Sequence, residues 1–457
     1  MPSLQSAPVP EPIAEKWNNR EIFQLLWPLA IEQILALVMG AADTVMVSSV
    51  GEFAVTGVNI VDMINNLFVI AFTALATGGA VVVSQYIGRR DVKNSQLASK
   101  QLIYSTTAVS LLIMVIVLAL NRPIIRLLYG AIADDVMEAA TIYFFITALS
   151  YPFLAISNAN AALFRAVGNS RVTMHIAFLS NILNIGGNAF LIFGLHIGIA
   201  GAAISTLVSR IVASAFSTLL LVRSRGPISL FGLLKIQWVP SMIRTILKVG
   251  VPSGLESSMF MIGKLLTQRI FTTFGTAAMA GNAIAGVVNS FSFMPGNACG
   301  MALLTIVGQC VGAGDYEAAK KNTTKIMKLS YLTIFVMSGF TFIFIEPLIS
   351  LFSLSPEAHN YAKLFLSVHC ISMVIGWAMS FALPNALRAA GDARYVMIVA
   401  AISMWTVRVS FSYLLSYTFH IGPLGVWIAM GSDFITRGAC YFIRWKRGAW
   451  QTKRVLD

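Results

Sequence analysis

Leu163-Phe164-Arg165-Ala166-Val167-Gly168-Asn169-Ser170-Arg171 returns later in the chain as Ala386-Leu387-Arg388-Ala389-Ala390-Gly391-Asp392-Ala393-Arg394. Each copy follows a long apolar stretch and brackets a glycine between two arginines. Working outward at a shift of 224, Gln85-Tyr86-Ile87-Gly88 and Asp91 fall on Gln309-Cys310-Val311-Gly312 and Asp315. Pro28 falls on Pro252, Glu32 on Glu256, Val50-Gly51 on Phe274-Gly275, Asn65 on Asn289, and His196-Ile197-Gly198 on His420-Ile421-Gly422. The chain writes its first half twice.

What is repeated is apolar. Of 457 residues, 57% are hydrophobic and 11% charged, and mean hydropathy is +0.77, whereas soluble domains carry about a quarter charged residues. Long apolar stretches run over 22–48, 53–84, 101–120, 136–164, 172–194, 197–222, 242–272, 277–311, 326–345, 358–387, 395–418 and 421–443. Each is long enough to cross a bilayer. The chain therefore reads as an all-α membrane protein of twelve transmembrane helices in two six-helix lobes. An even number of spans per copy starts both copies on the same side, the arrangement of parallel transporter repeats.

Residues 1–20 hold Pro2, Pro8, Pro10 and Pro12 with little apolar material, and read as a disordered cytoplasmic tail, unlike a signal peptide. The lobes are expected over 21–224 and 242–445, with a cytoplasmic linker at 225–241 and a basic cytoplasmic tail at 446–457. With the N-terminus inside, 24 of the 32 Lys and Arg residues lie in inner segments, and the outer loops hold only Arg122 and Arg126. The net charge of +13 is thus topological. It orients the chain in an inner membrane of bacterial type with both termini cytoplasmic, and nucleic acid is excluded as a partner.

Ionisable groups within a bilayer are costly and face a cavity or a partner. The acids so placed are Glu32, Asp43, Asp62, Glu256 and Asp433; the bases are Arg210, Lys264, Arg269, Arg408, Arg437 and, near a helix end, Lys363. Glu32 and Asp43 are eleven positions apart, which puts them on one helix face about 16 Å apart. A carboxylate in a partly dry cavity is able to load and release a proton, because desolvation disfavours its charged form. On span 5, Asn181, Asn184 and Asn188 form a polar stripe. Asp62, with Asn59, Asn65 and Asn66, forms another and is a candidate substrate site. Asp433 and Arg437 are spaced to neutralise each other. Lys264 has no acid one turn away and must snorkel, pair across helices or line a cavity. Glu32 and Glu256, beside Pro28 and Pro252, suggest gating at the inner end of the lobes, and Pro28 predicts a bend in span 1 below Asp43.

Trp27-Pro28-Leu29-Ala30-Ile31-Glu32-Gln33, followed by Gly40-Ala41-Ala42-Asp43-Thr44-Val45-Met46-Val47, resembles the opening span of the multidrug and toxic compound extrusion (MATE) family. The repeated Gln-Tyr-Ile-Gly, Gln-Cys-Val-Gly, Arg-Ala-Val-Gly-Asn and Arg-Ala-Ala-Gly-Asp signatures extend that resemblance over the chain beyond residue 20. It implies a V-shaped pair of lobes exporting cationic or amphipathic organic compounds in exchange for protons or sodium ions. Asp43 matches the family's first-span acid, and Tyr143, Asn184, Asn188 and Thr206 match the polar cluster around it in DinF-type members. Asn188 stands where many members carry a second acid. One carboxylate fewer makes a poorer sodium cage, since hard cations prefer charged oxygens, and this favours proton coupling. NorM-type members carry acids on spans 7 and 10, whereas span 10 here has none between Lys363 and Arg388.

No phosphate loop for ATP occurs, and no cofactor is implied beyond the coupling ion. Cys299, Cys310, Cys370 and Cys440 have no metal spacing, and the five histidines form no metal motif. A membrane enzyme would need a paired base and nucleophile, which is not found. The alternative transporter reading, a flippase for lipid-linked oligosaccharides, would favour a strongly cationic central cavity. A functional monomer within the bilayer is expected.

Overall fold

The computed structural model describes residues 17–130, 132–453, 455 and 456. Most of the expected N-terminal tail, with Lys16, and also Arg454 lie outside these residues. The first lobe holds α1 (Asn19–Ser48), α2 (Glu52–Gly88), α3 (Val92–Tyr129), α4, α5 (Ser170–Gly194) and α6 (Ile199–Arg223). In α4, Asp134–Leu149 and Tyr151–Val167 meet at 48°. The second lobe holds α7 (Pro240–Thr273), α8 (Thr276–Ser292 and Met294–Gly312), α9 (Tyr316–Ile343), α10 (Pro356–Ala389), α11 (Ala393–Thr418) and α12 (Leu424–Lys446). No strand occurs among the described residues.

Local chemistry accounts for the helix ends and breaks. The Asn18 side chain accepts from the Glu21 amide at 3.0 Å while Glu21 Oε2 accepts from the Asn18 amide at 3.2 Å, a capping box that starts α1. Asp91 and Asp315 cap α3 and α9 in the same manner, as the repeat predicts. Pro295 has no counterpart in α2, and α8 breaks just before it while α2 runs through. Leu127, Phe335 and Ile343 are exposed on the outer faces, where hydrocarbon replaces water.

Among the described residues nine helices are long and apolar enough to cross a membrane, and the bent α4 makes a tenth. The remaining spans, α7 and α12, carry charges along their length: Glu256, Lys264 and Arg269 on α7, and Asp433 and Arg437 on α12.

Two segments between and after the lobes are packed onto the bundle. In 225–241, the Tyr104 hydroxyl donates to the Leu233 carbonyl at 2.6 Å, and Gln101 bonds both the Gln237 carbonyl and the Val239 amide. The C-terminal segment was expected from its charges to be a basic tail. Instead Trp450 is fully buried and stacks on Trp445 at 4.2 Å, and Val455 and Leu456 are buried too. Its apolar residues outweigh Lys446, Arg447 and Lys453 in deciding where it lies.

The lobes meet at the end that carries both termini and most of the basic residues. Gln85 Nε2 donates across to the Ala389 carbonyl at 2.7 Å, and Gln309 Nε2 donates to the Ala166 carbonyl at 2.7 Å. A Cβ on Gly88 would overlap the Gln309 carbonyl, and one on Gly312 would overlap the Gln85 carbonyl, so glycine alone permits this approach. The repeated signatures thus form one symmetric latch. Removing both amides in a Gln85→Leu, Gln309→Leu variant leaves two carbonyls short of a donor, at about 1–3 kcal/mol each. Spin labels at Lys93 and Lys321 should then report a widened basic end; an unchanged distance would dismiss the latch.

Candidate functional site

Above the latch, a cleft of about 390 Å³ lies between the lobes, lined by Glu32, Arg165, Thr73, Thr77, Asn158 and Asn385 among others. Glu32 Oε1 pairs with Arg165 Nη1 at 2.8 Å, and its Oε2 accepts from Thr173 Oγ1 at 2.8 Å, tying α1 to α4 and α5. Glu256 Oε2 pairs with Arg388 Nη2 at 2.6 Å, the same contact in the second lobe. The arginines of the repeated nonapeptide are therefore the partners of the repeated glutamates. Both glutamates are neutralised where the cleft floor meets the latch, a position suited to gating. Pro28 sits one turn below Glu32 without interrupting α1; Ser170 Oγ donates to the Leu25 carbonyl at 2.7 Å, beside the carbonyl that Pro28 deprives of a donor.

The first lobe's polar interior lies further along α1. Asp43 Oδ1 accepts from Asn188 Nδ2 at 2.5 Å. Asn184 Nδ2 donates to Thr206 Oγ1 at 3.2 Å, and Ser205 Oγ donates to the Asn184 carbonyl at 2.7 Å. The carboxamide oxygens of Asn184 and Asn188 are buried with no hydrogen-bond donor among the described residues. Asp62 Oδ1 accepts weakly from Asn65 Nδ2 at 3.5 Å, and Asn65 Oδ1 accepts from the Tyr151 hydroxyl at 2.6 Å. Arg210 Nη1 donates to Ser150 Oγ at 2.7 Å and interacts electrostatically with Asp62, Tyr143, Tyr151 and Asp43.

Two residues of these clusters meet further neighbours. Tyr143, grouped with Asp43, interacts electrostatically with Asp62 as well as with Asp43. Asn181 points elsewhere than its neighbours on the stripe: its Nδ2 donates to its own helix at the Ala177 carbonyl, 2.9 Å away, and it lines a pocket of about 190 Å³ shared with Glu32. Asn181 and Asn188 are seven residues apart and nearly share a face, but about 10 Å of axial rise separates them, so Asn181 meets a different neighbour. Arg210 and Tyr151 carried no site role in the sequence reading. Arg210 is a charge within a span, and that was the available signal; nothing in the spacing tells which helix it faces.

The second lobe has a cavity of about 360 Å³ lined by Lys264, Thr267, Asn289, His369, Arg408 and several rings. Lys264 lines it, which selects one of the three outcomes expected for that residue. Asn289 is hydrogen-bonded to His369, where the matching Asn65 bonds Tyr151. Beside the cavity, Asp433 is fully buried; Arg437 Nη2 lies 3.1 Å and Arg408 Nη1 3.8 Å from its Oδ2, and Ser403 Oγ donates to its Oδ1 at 2.6 Å. The expected pair is thus a triad. Arg408 reaches it from a π-helical stretch, Met404–Val409, an irregularity common at functional sites.

Comparison with known proteins follows the same division. The "Uncharacterized transporter YisQ" of Bacillus subtilis is 28% identical over 94% of this chain and 95% of its own length. The "Probable multidrug resistance protein NorM" of Thermotoga maritima is 27% identical over 96% and 94%. A crystal structure of a MATE protein in the straight conformation, 19% identical, superposes with a TM-score of 0.89 over 95% of this chain and 97% of that one, which establishes the shared fold. The MatE family model matches twice, at residues 28–190 and 252–414, the copies again 224 apart. The chain therefore belongs to the MatE, or multidrug and toxic compound extrusion, family of membrane transporters, and is not an enzyme.

Proposed function

We propose that the chain is a secondary active multidrug efflux antiporter that exports cationic or amphipathic organic compounds in exchange for protons, with Asp43 as the coupling carboxylate. It works as a monomer in a bacterial-type cytoplasmic membrane. The basic end and both termini are cytoplasmic, so the latched structure is closed inward and opens to the outside. The names of relatives such as the Thermotoga maritima protein support multidrug substrates.

The observation that carries the ion assignment is the Asp43–Asn188 contact. Glu32, Glu256 and Asp433 each have a salt-bridge partner, whereas Asp43 and Asp62 have none among the described residues. Asn188 offers its NH₂ to the ionised Asp43 and holds a second, unpartnered amide oxygen. Turned about, that oxygen accepts from a protonated Asp43, so one neighbour satisfies both states. A sodium ion would need more charged oxygens than this cluster supplies. Carboxylate coupling confined to the first lobe would also support reading the chain as nearer DinF-type than NorM-type members. The central cleft, with its glutamates and arginines paired, lacks the cationic surface a pyrophosphate-lipid flippase would present.

Purified protein in vesicles, given separately a proton or a sodium gradient, tests the reading. Tetraphenylphosphonium should be driven by the proton gradient; movement under neither gradient would end the antiporter assignment. In the same vesicles Pro28→Ala should slow exchange several-fold by stiffening α1, and a wild-type rate would remove Pro28 as a hinge.

A further inference from the structure

At the shift of 224, the lobes differ in charge at equivalent positions, the first carrying an acid where the second is neutral and the second carrying bases where the first is neutral. Gly40 corresponds to Lys264, Asp43 to Thr267 and Asn184 to Arg408, all within the doubly matched ranges. The first-lobe interior sets Asp43 and Asp62 against Arg210. In and beside the second-lobe cavity, Lys264, Arg408 and Arg437 face a single acid, Asp433.

Arg408 and Arg437 share Asp433, which leaves the Lys264 ammonium and part of the Arg408 donor set without an acceptor among the described residues. Lys264 is exposed to the cavity, and its ammonium makes no hydrogen bond or ion pair among the described residues. Arg408 is 6% exposed, yet its Nε and Nη1 have no hydrogen-bond acceptor, and the buried indole N–H of Trp427 has none either. All three side chains are donors only. Two cations on one cavity in a low-dielectric surround repel each other, and an anion between them relieves both. The rest of the wall mixes rings with amides and hydroxyls; Phe260, Trp377, Phe381 and Phe434 line the same space as Gln268, Asn282 and Asn289. At about 360 Å³ it falls within the range of small-molecule pockets, toward the small end.

We propose that this cavity binds an aromatic organic anion, its carboxylate or sulfonate between Lys264 and Arg408 and its rings against Phe260, Phe381 and Trp427. The site involves no residue of the Asp43 cluster, so the two assignments stand or fall separately.

The test is calorimetric titration of the full chain in phosphatidylcholine nanodiscs with 2-naphthalenesulfonate, and with 2-naphthylmethylammonium as the cation of similar shape. The sulfonate should bind saturably and the ammonium should not. Lys264→Met should weaken sulfonate binding at least about tenfold, a single charge-assisted contact, while Lys264→Arg retains it; both should fold, since Lys264 has no partner to lose. Absence of saturable sulfonate binding, equal binding of the ammonium, or wild-type affinity in Lys264→Met would overturn the proposal. Loss of sulfonate binding in phosphatidylglycerol nanodiscs would assign the site to a lipid phosphate and overturn it equally.

Discussion

Vesicles containing Asp43→Asn protein should show no gradient-driven tetraphenylphosphonium transport above protein-free vesicles. Asparagine has nearly the shape of aspartate, and its Oδ1 still accepts from Asn188 Nδ2, so the contact seen at 2.5 Å survives in neutral form. Stability should therefore change by only about 1 kcal/mol, the net worth of an ordinary hydrogen bond. What is lost is the ability to exist in two charge states. A melting curve near wild type together with abolished exchange assigns the loss to coupling and separates it from misfolding. Coupled transport by a folded Asp43→Asn protein would rule out Asp43, and Asp62, the other unpaired acid of the lobe, would be examined next.

The largest effect on stability is expected at Asp433. This residue is fully buried between Arg408 and Arg437, both themselves buried, and its Oδ1 is held by Ser403. Asp433→Asn removes the acid that pairs with two guanidiniums, and breaking a buried ion pair in this way costs about 3–5 kcal/mol. The variant should melt well below wild type or fail to accumulate. Adding Arg437→Gln restores one cation to one polar partner and should recover part of the loss, an interaction that a double-mutant cycle reads directly. A melting temperature unchanged in the single variant would mean that the triad is not the internal support of the second lobe.

The contrast between the two lobes explains what the sequence disclosed and what it hid. Periodic apolar stretches located all twelve spans, because hydrocarbon exposure imposes length and composition on each one. The repeat also paired Glu32 with Glu256, at a shift of 224, and Arg165 with Arg388, at 223, although the glutamate–arginine contacts themselves emerged only in three dimensions. Spacing within a helix tells which residues share a face, but not which neighbouring helix that face meets. In three dimensions Asn188 lies beside Asp43, Tyr143 interacts with Asp62 as well as Asp43, and Asn181 lines the pocket of Glu32. Attention to acids as proton carriers likewise left Arg210 without a role and passed over the cationic interior of the second lobe. The charged tail at 446–457 misled for a related reason: its net charge conceals the buried Trp450, Val455 and Leu456.

Gln85 and Gln309 illustrate a residue type whose meaning depends wholly on context. Each stands in an apolar helix near a loop, where a helix-end hydrogen bond to water would be the simple expectation. Each instead crosses to a carbonyl of the opposite lobe, and the glycines three residues later permit the approach. Repeated identity at these positions therefore marks an interface between the copies as well as common ancestry of the copies.

The central claim, that drug and proton compete through Asp43, is tested most directly by proton release. Tetraphenylphosphonium added to purified, weakly buffered protein near neutral pH should release protons in proportion to the drug bound, and Asp43→Asn should bind drug with no proton signal. Proton release of equal size from the variant, or none from the wild-type protein while drug binds, would contradict it.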